Sequence, residues 1–345
     1  MALVYKDLFP KIYSFPQLRR SFYAASKGKG NRDSVANFSI NLEANLHHIS
    51  KLLRDGEYSF GPYRAFYVTE PKRRLIESAC FPDRVVHHSI HSMLEQMYDP
   101  TFYEHSYACR SGRGHHAAML KLHGWVKGAP HRHLLKCDIR KFFPSIDRDV
   151  LVQLLGNRIK DAPFMACLTK LIMTAPGTGI PIGNLTSQLF ANLYLNELDQ
   201  FIKRKLRIRH YIRYMDDFVL IVDSKEEAQQ MRVNIESFLR EKLHLELSPQ
   251  KVMIGPCKEG VAFLGFYLKP ELIRLRGSLF RRMKRRIAAS QDKQQKGLGT
   301  RKNPDPLLST LRSYAGHVRY CSNYKFLQEY LLEKVILVQG GADPP

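Results

Sequence analysis

The sequence predicts an α+β fold in which short antiparallel strands are laid between amphipathic helices. Two patterns carry that expectation. Tyr211–Val222 (YIRYMDDFVLIV) reads as two apolar strands around a tight acidic turn, and Asp83–Tyr98 and 184–205 place apolar residues at helical steps. A third observation sets the scale: 345 residues, 44% of them hydrophobic, suffice for a real core shared by two or three lobes.

Taken in order, residues 1–54 form an N-terminal helical segment. Its last helix carries a stripe of Asn41, Leu42, Leu46, Ile49 and Leu53 and stops at Asp55-Gly56. Residues 62–72 alternate like a strand between two prolines. Asp83–Tyr98 is helical through Val86, Ile90, Met93, Leu94 and Met97. His133–Ile139 is a short apolar strand with an aspartate near its end, and helical spacing resumes at Val150, Leu151, Leu154 and Leu155. A long helix is expected over 184–205 and another over Glu226–Leu243, with a single strand over Val261–Leu268. The stretch 274–286 holds seven basic residues in thirteen positions. Residues 290–306 are polar enough to read as a flexible loop, and one helical stretch, Leu307–Leu337, follows.

Charge narrows the partners. Lys and Arg number 54 against 32 Asp and Glu, a formal +22. Such an excess favours a polyanion, because each neutralised phosphate releases counterions. Anionic membrane is the rival partner, but no apolar run approaches the roughly 20 residues of a membrane span, so none is expected. The six cysteines are scattered without a CxxC pair, so no cysteine-based zinc site is expected. With an N-terminus (MALVYKDLFPKIYSF) that lacks a signal-peptide layout, they suit a cytoplasmic setting. The His-His pairs at 47–48, 87–88 and 115–116 read as surface or RNA-facing.

The chemistry rests on acidic residues at strand ends. Asp138 ends one strand, and Asp216-Asp217 sit in the turn of a strand–turn–strand. No Lys or Arg is read as their partner, so desolvation calls for a cation. Mg²⁺ fits, since it takes oxygen ligands and keeps sites free for phosphates. Taken alone, an acidic hairpin turn is equally well explained as a turn.

Further motifs decide. Tyr214-Met-Asp-Asp217 resembles the YxDD box of reverse transcriptases, and Asp138-Ile-Arg-Lys-Phe-Phe-Pro-Ser-Ile-Asp147 their first catalytic motif. Gly179–Asn196 (GIPIGNLTSQLFANLYLN) is similar to their template- and nucleotide-binding motif. Pro71-Lys-Arg-Arg74 with Asp83-Arg84, Leu245–Lys251 and Phe263-Leu-Gly-Phe266 add further matches over roughly residues 55–270. The resemblance implies a right-hand polymerase: fingers over 55–130, a palm over 131–270 with an interleaved fingers segment near 150–182, and a basic helical thumb over 271–345. It implies two Mg²⁺ ions, with Mn²⁺ as a substitute, on Asp138 and Asp216, assisted by Asp217 and the Ile139 carbonyl. Lys72 and Arg74 would clamp the incoming dNTP, Phe143 would reject a 2′-hydroxyl, Lys251 would protonate pyrophosphate, and Leu264-Gly265 would grip the primer.

Departures from the usual pattern are informative. Where most of the family has Gln-Gly and then Ser-Pro, this chain has Ile182-Gly183 and Ser187-Gln188. That pairing resembles the enzymes of diversity-generating retroelements, as do Ser106–Arg110 and Ser313–His317. The resemblance implies error-prone copying at template adenines, an RNA template from the same bacterial or phage element, and a small basic helical oligomeric accessory protein. Arg204 and Arg207, with Arg281, Arg282, Arg285 and Arg286, are the expected contacts to RNA and RNA/cDNA hybrid. The alternatives are an antiphage-defence reverse transcriptase with a structured non-coding RNA, a catalytically silent RNA-binding protein of the same fold, and a terminal or protein-primed polymerase.

Overall fold

The computed structural model describes residues 4–69, 72–298 and 305–339. They fall into two compact bodies. The first comprises the residues up to Gly114 with Lys136–Leu220 and Gln229–Val252; the second comprises His115–Leu135, Ile221–Ala228 and the residues from Met253 onwards.

The first body opens on four helices, Phe9–Tyr13, Phe15–Ser26, Asp33–Ile40 and Leu42–Arg54. Proline in the first turn starts the first two, where its missing N–H has no helical partner to lose. Leu46, Ile49 and Leu53 are the buried face of the fourth, which ends before Gly56 in the left-handed region. Strands β1 (Arg64–Val68) and β2 (Arg74–Ser78) then form an antiparallel ribbon pairing Val68 with Arg74. All of β1 is exposed, so this ribbon contributes little core. β2 was not foreseen, because its charged start hides the strand pattern; Pro71 lies outside the described residues. Helix Phe81–Tyr98 buries the expected Val86, Ile90, Leu94 and Met97.

β3 (His133–Asp138), β4 (His210–Tyr214) and β5 (Asp217–Val222) are neighbours in the order β4–β5–β3. Helix Leu185–Gln200 is buried along Leu189, Phe190, Leu193, Tyr194 and Leu198, each such side chain contributing roughly 1.5–3 kcal/mol. The helix expected to reach 205 widens at Phe201–Lys205 into a π-turn, in which Leu206 N–H donates to the Phe201 carbonyl. Lys203 fixes that exit by donating to the carbonyls of Ile208 and Arg209.

In the second body, β6 (Met253–Pro256) precedes the meander β7 (Val261–Phe263), β8 (Phe266–Lys269) and β9 (Leu272–Leu275). The single strand expected over 261–268 is therefore a hairpin. Leu264 and Gly265 both have positive φ, +49° and +91°, the requirement of a tight two-residue turn. Helix Gly277–Gln295 runs through the start of the segment expected to be a loop, because Leu279, Met283 and Ile287 give it a buried stripe. Residues 299–304 of that segment lie outside the described residues. Asp305 then caps helix Pro306–Val318. The expected helix over Leu307–Leu337 breaks after Val318 and resumes at Tyr324–Gln339. The break frees Ser322 to donate to and accept from the backbone of Ile273 in β9. Among the described residues no helix is long and apolar enough to cross a membrane. All six cysteines are free.

The histidine pairs do not share one environment. His47 and His48 are exposed, as expected. His87 is fully buried in helix Phe81–Tyr98, and neither ring nitrogen has a hydrogen-bond partner among the described residues. A helix face, not a surface, claims it.

Candidate active site

Everything turns on a strained hairpin. Between β4 and β5, Met215 adopts φ +58°, a conformation that disfavours any residue with a Cβ. A buried network holds it there. Arg213, 0% exposed in β4, donates to the Met215 carbonyl at 3.1 Å. Its other nitrogens reach both oxygens of Asp199, on helix Leu185–Gln200, at 2.7 and 2.6 Å. Tyr211 donates to the same carboxylate at 2.6 Å, and Asn192 joins Arg213 to the Ala108 carbonyl. Segment 105–107 pairs with Arg213 through its backbone, and Arg110 anchors that segment on Asp99. The Ser106–Arg110 stretch thus braces β4.

The turn delivers Asp216, and a backbone bond ties it to the next strand: Ile139 N–H donates to the Asp216 carbonyl at 3.3 Å. Asp138, at the end of β3, is thereby a neighbour of Asp216. Burial raises the Asp216 pKa, and the charge of Asp138 raises it further, against Lys251 and Arg74. Lys251 Nζ sits 2.5 Å from Asp138 Oδ1. Its segment is zipped to the residues after β3: Ser248 N–H donates to the Asp138 carbonyl and Arg140 N–H to that of Glu246. Asp217 behaves differently. Its Oδ2 pairs with Lys136 at 3.0 Å while Oδ1 is buried without a hydrogen-bond partner among the described residues. Burial, opposed by Lys136 and reinforced by Asp138 and Asp216, pushes it up to about 6. The expectation of carboxylates without basic partners is corrected here, because lysines on the same sheet face and the adjoining segment reach two of the three. Nor do the three aspartates, with one oxygen taken from each, form a group within 4.8 Å of one another among the described residues.

The fit to a divalent cation rests on Asp138 and Asp216. One already holds an ammonium group at its oxygen, and the other carries a charge that burial and its neighbour both disfavour. Oxygen donors of this kind suit a hard cation.

The remaining expected residues lie each within its own body. Phe142 is core, whereas Phe143 is half-buried, which separates two side chains that the sequence left equivalent. A Cβ on Gly179 would stand 2.1 Å from the Phe143 carbonyl, so only glycine allows the loop before helix Leu185–Gln200 to pass there. Arg148 clamps the preceding loop through the carbonyls of Ala175, Pro176, Gly177 and Gly179. Ile182, half-buried, accepts from Glu77 N–H of β2 through its carbonyl at 2.9 Å, and Asn184 accepts from Ala79 N–H. Gly183 (φ +123°) packs on Ile76, where a Cβ would come within 2.7 Å. Lys72, Arg74 and Gln188 are exposed. Arg204 and Arg207 are exposed at the π-turn, and Arg281, Arg285 and Arg286 on helix Gly277–Gln295, with Arg282 half-buried. Leu264 and Gly265 form the second body's hairpin turn, where Arg276 N–H donates to the Gly265 carbonyl.

Sequence reading missed Lys136, Asp199, Arg213 and Arg148. Lys136 had a signal, two residues before Asp138 and hence on the same strand face. Arg213 also had one, a lone charge inside an apolar strand. Asp199 and Arg148 sit in ordinary helical patterns and had none. A cleft lined by Arg32, Arg64, Phe66 and Arg84 was missed as well; burial and the charges of Arg84 and Arg32 hold Lys29 below the usual lysine value.

A hairpin that presents an aspartate next to a second strand-end aspartate, on an antiparallel sheet backed by helices, defines the palm of a polymerase of the right-hand class. Residues 69–268, more than half of the chain, match the family described as reverse transcriptase (RNA-dependent DNA polymerase), and the chain belongs to that family. Its members generally use divalent metal ions. The group II intron-encoded protein LtrA of Lactococcus lactis subsp. cremoris is 25% identical over 76% of this chain and 57% of its own length. Protein YkfC of Escherichia coli (strain K12) is 28% identical over 66% of this chain and 73% of its own. The putative COX1/OXI3 intron 2 protein of Saccharomyces cerevisiae is 23% identical over 70% of this chain and 36% of its own. The chain thus spans little more than half the length of the Lactococcus relative.

Proposed function

We propose that this protein is an RNA-directed DNA polymerase that extends a DNA 3′-end along an RNA template. The observation that carries the proposal is the juxtaposition of Asp138 and Asp216, tied through the Ile139–Asp216 backbone bond, with burial and mutual repulsion raising Asp216. These two carboxylates would hold the divalent cations, two Mg²⁺ ions in this reading, with Asp217 assisting electrostatically from its pair with Lys136. Bound there, such ions acidify the primer 3′-hydroxyl and offset charge on the departing pyrophosphate.

The remaining roles belong to side chains of this chain. Exposed Arg74, whose charge already reaches Asp216, and Lys72 bind the triphosphate. The 3′-oxygen forms a bond to the α-phosphorus as the bond to pyrophosphate breaks. Lys251, an exposed ammonium beside Asp138, supplies a proton to the leaving pyrophosphate. Half-buried Phe143 would act as the steric gate against a 2′-hydroxyl, a role supported by its position five residues after Asp138. The arginine-rich helix Gly277–Gln295 and the Arg32–Arg84 cleft hold template and hybrid by phosphate contacts.

We further place the protein with the diversity-generating retroelement enzymes, error-prone at template adenines. The support is Ile182, whose side chain offers no hydrogen bond to brace the nascent pair. An element-encoded template RNA and a small basic oligomeric accessory protein belong to the same proposal, as does a cytoplasmic setting.

Asp216→Asn tests the core. Extension of a primed RNA template should fall at least about a hundredfold, several kcal/mol of transition-state stabilisation, while RNA binding persists. Undiminished extension would overturn the assignment of the cation site.

A further inference from the structure

Three histidines gather in the second body. His115 and His116 open helix His115–Gly128, and His317 lies in the last turn of helix Pro306–Val318. Nδ1 of His317 stands 3.4 Å from His115 Nε2 and 3.3 Å from His116 Nε2. One nitrogen of each ring lies within 4.8 Å of the other two.

Hydrogen bonding accounts poorly for this arrangement. A ring nitrogen carries either one proton or one lone pair, so His317 Nδ1 makes a good bond to one of its two neighbours and leaves the other wanting. Both separations are also long for such a bond. They match something else: with metal–nitrogen bonds of about 2.0–2.1 Å, the edge of a tetrahedron is about 3.3–3.4 Å. An apolar shell surrounds the polar donors: Tyr320 packs 4.5 Å from the His116 ring, and Phe266 and Tyr314 border the cluster.

We propose that His115, His116 and His317 form a metal site of the zinc class, joining the start of helix His115–Gly128 to the end of helix Pro306–Val318. A donor set of three imidazoles, without a carboxylate, selects Zn²⁺ over Mg²⁺. Three protein ligands leave a fourth position for water or hydroxide, which the nearby Arg282 and Arg319 charges favour over a further cationic group. The site stands apart from the aspartate pair in chemistry, so the two metals need not compete.

The test uses the full chain, stripped with chelator and desalted. Calorimetric titration with ZnCl₂ should show one equivalent bound by the unmutated protein and by Asp216→Asn, and none by His317→Gln or His116→Gln. Zinc should raise the thermal midpoint of the first two proteins only. Retention of that equivalent in both histidine variants, or its loss in Asp216→Asn, would overturn the proposal. Cobalt(II) decides the matter without any substitution. The strong visible bands of four-coordinate cobalt are expected, and the weak spectrum of the six-coordinate ion would overturn the site even if a variant failed to fold.

Discussion

Replacing Asp199 by Asn should destabilise the protein and disarm the site together. The change leaves Arg213, 0% exposed, without the carboxylate that it grips at 2.6 and 2.7 Å. Burial pulls the Arg213 pKa down and Asp199 more than restores it, so the neutral amide strands a charge that cannot deprotonate. Breaking one side of a buried pair costs about 3–5 kcal/mol. The triple variant Asp199→Leu/Arg213→Met/Tyr211→Phe separates the two consequences. Exchanging the whole group for apolar side chains of similar volume is often neutral for stability. It also removes the donor to the Met215 carbonyl, so the turn at φ +58° loses its support. Urea unfolding should therefore show a large loss in the single variant and recovery in the triple one. Primer extension should stay impaired in both, in kcat more than in KM. A single variant within 1 kcal/mol of the parent would refute the energetic reasoning, and full kcat in the triple variant would refute the positioning role.

Acid should weaken the fold through His87. Burial, helped by His88 and Arg84, holds this ring down to about 3, so the unfolded chain, titrating near 6.5, takes a proton that the folded one refuses. Stability from this residue is whole above pH 6.5 and drains as the pH falls toward 3; between pH 7.5 and 5 the loss is about 2 kcal/mol. His87→Leu should shrink the stability difference between those two pH values by about that amount, and an unchanged difference would count against it. Ile182→Gln should lower misincorporation opposite template adenines, read by sequencing the cDNA. An unaltered error spectrum would exclude Ile182 as the source of infidelity.

Strands and helices were legible because their signals, period two and period 3.6, are local, and the aspartate pair because the motifs around each member resemble those of a known family. What escaped was of two kinds. The π-turn after Gln200 and the break after Val318 are decided by capping partners, Lys203 and Ser322, whose targets the periodicity cannot reveal. The second kind is pairing across distance. Asp199 and Arg213 are fourteen residues apart, on a helix and a strand; Arg213 alone reads as an anomaly in an apolar strand, and Asp199 as an ordinary helical residue. The helix Gly277–Gln295 was undervalued at its C-terminal end because Gln, Asp and Lys are loop-like in composition yet good enough helix formers once Leu279, Met283 and Ile287 are anchored.

The two ion pairs at the aspartates differ from the one beneath them in a way that suits exchange. Lys251 is 47% exposed on a flexible stem, so its pair with Asp138, though short, is worth at most about 1 kcal/mol and is easily given up. Asp199 and Arg213 are both fully buried, and parting them costs several times more. Under the proposed function, a cation arriving at Asp138 would displace a weakly held ammonium, while the turn that carries Asp216 stays fixed by a pair that solvent does not reach. Lys136 and Asp217 lie between these extremes, at 16% and 21% exposure. Their pairing keeps a second carboxylate near the first without adding its full repulsion, which explains how consecutive aspartates coexist in a half-buried turn of a protein whose remaining surface is strongly positive.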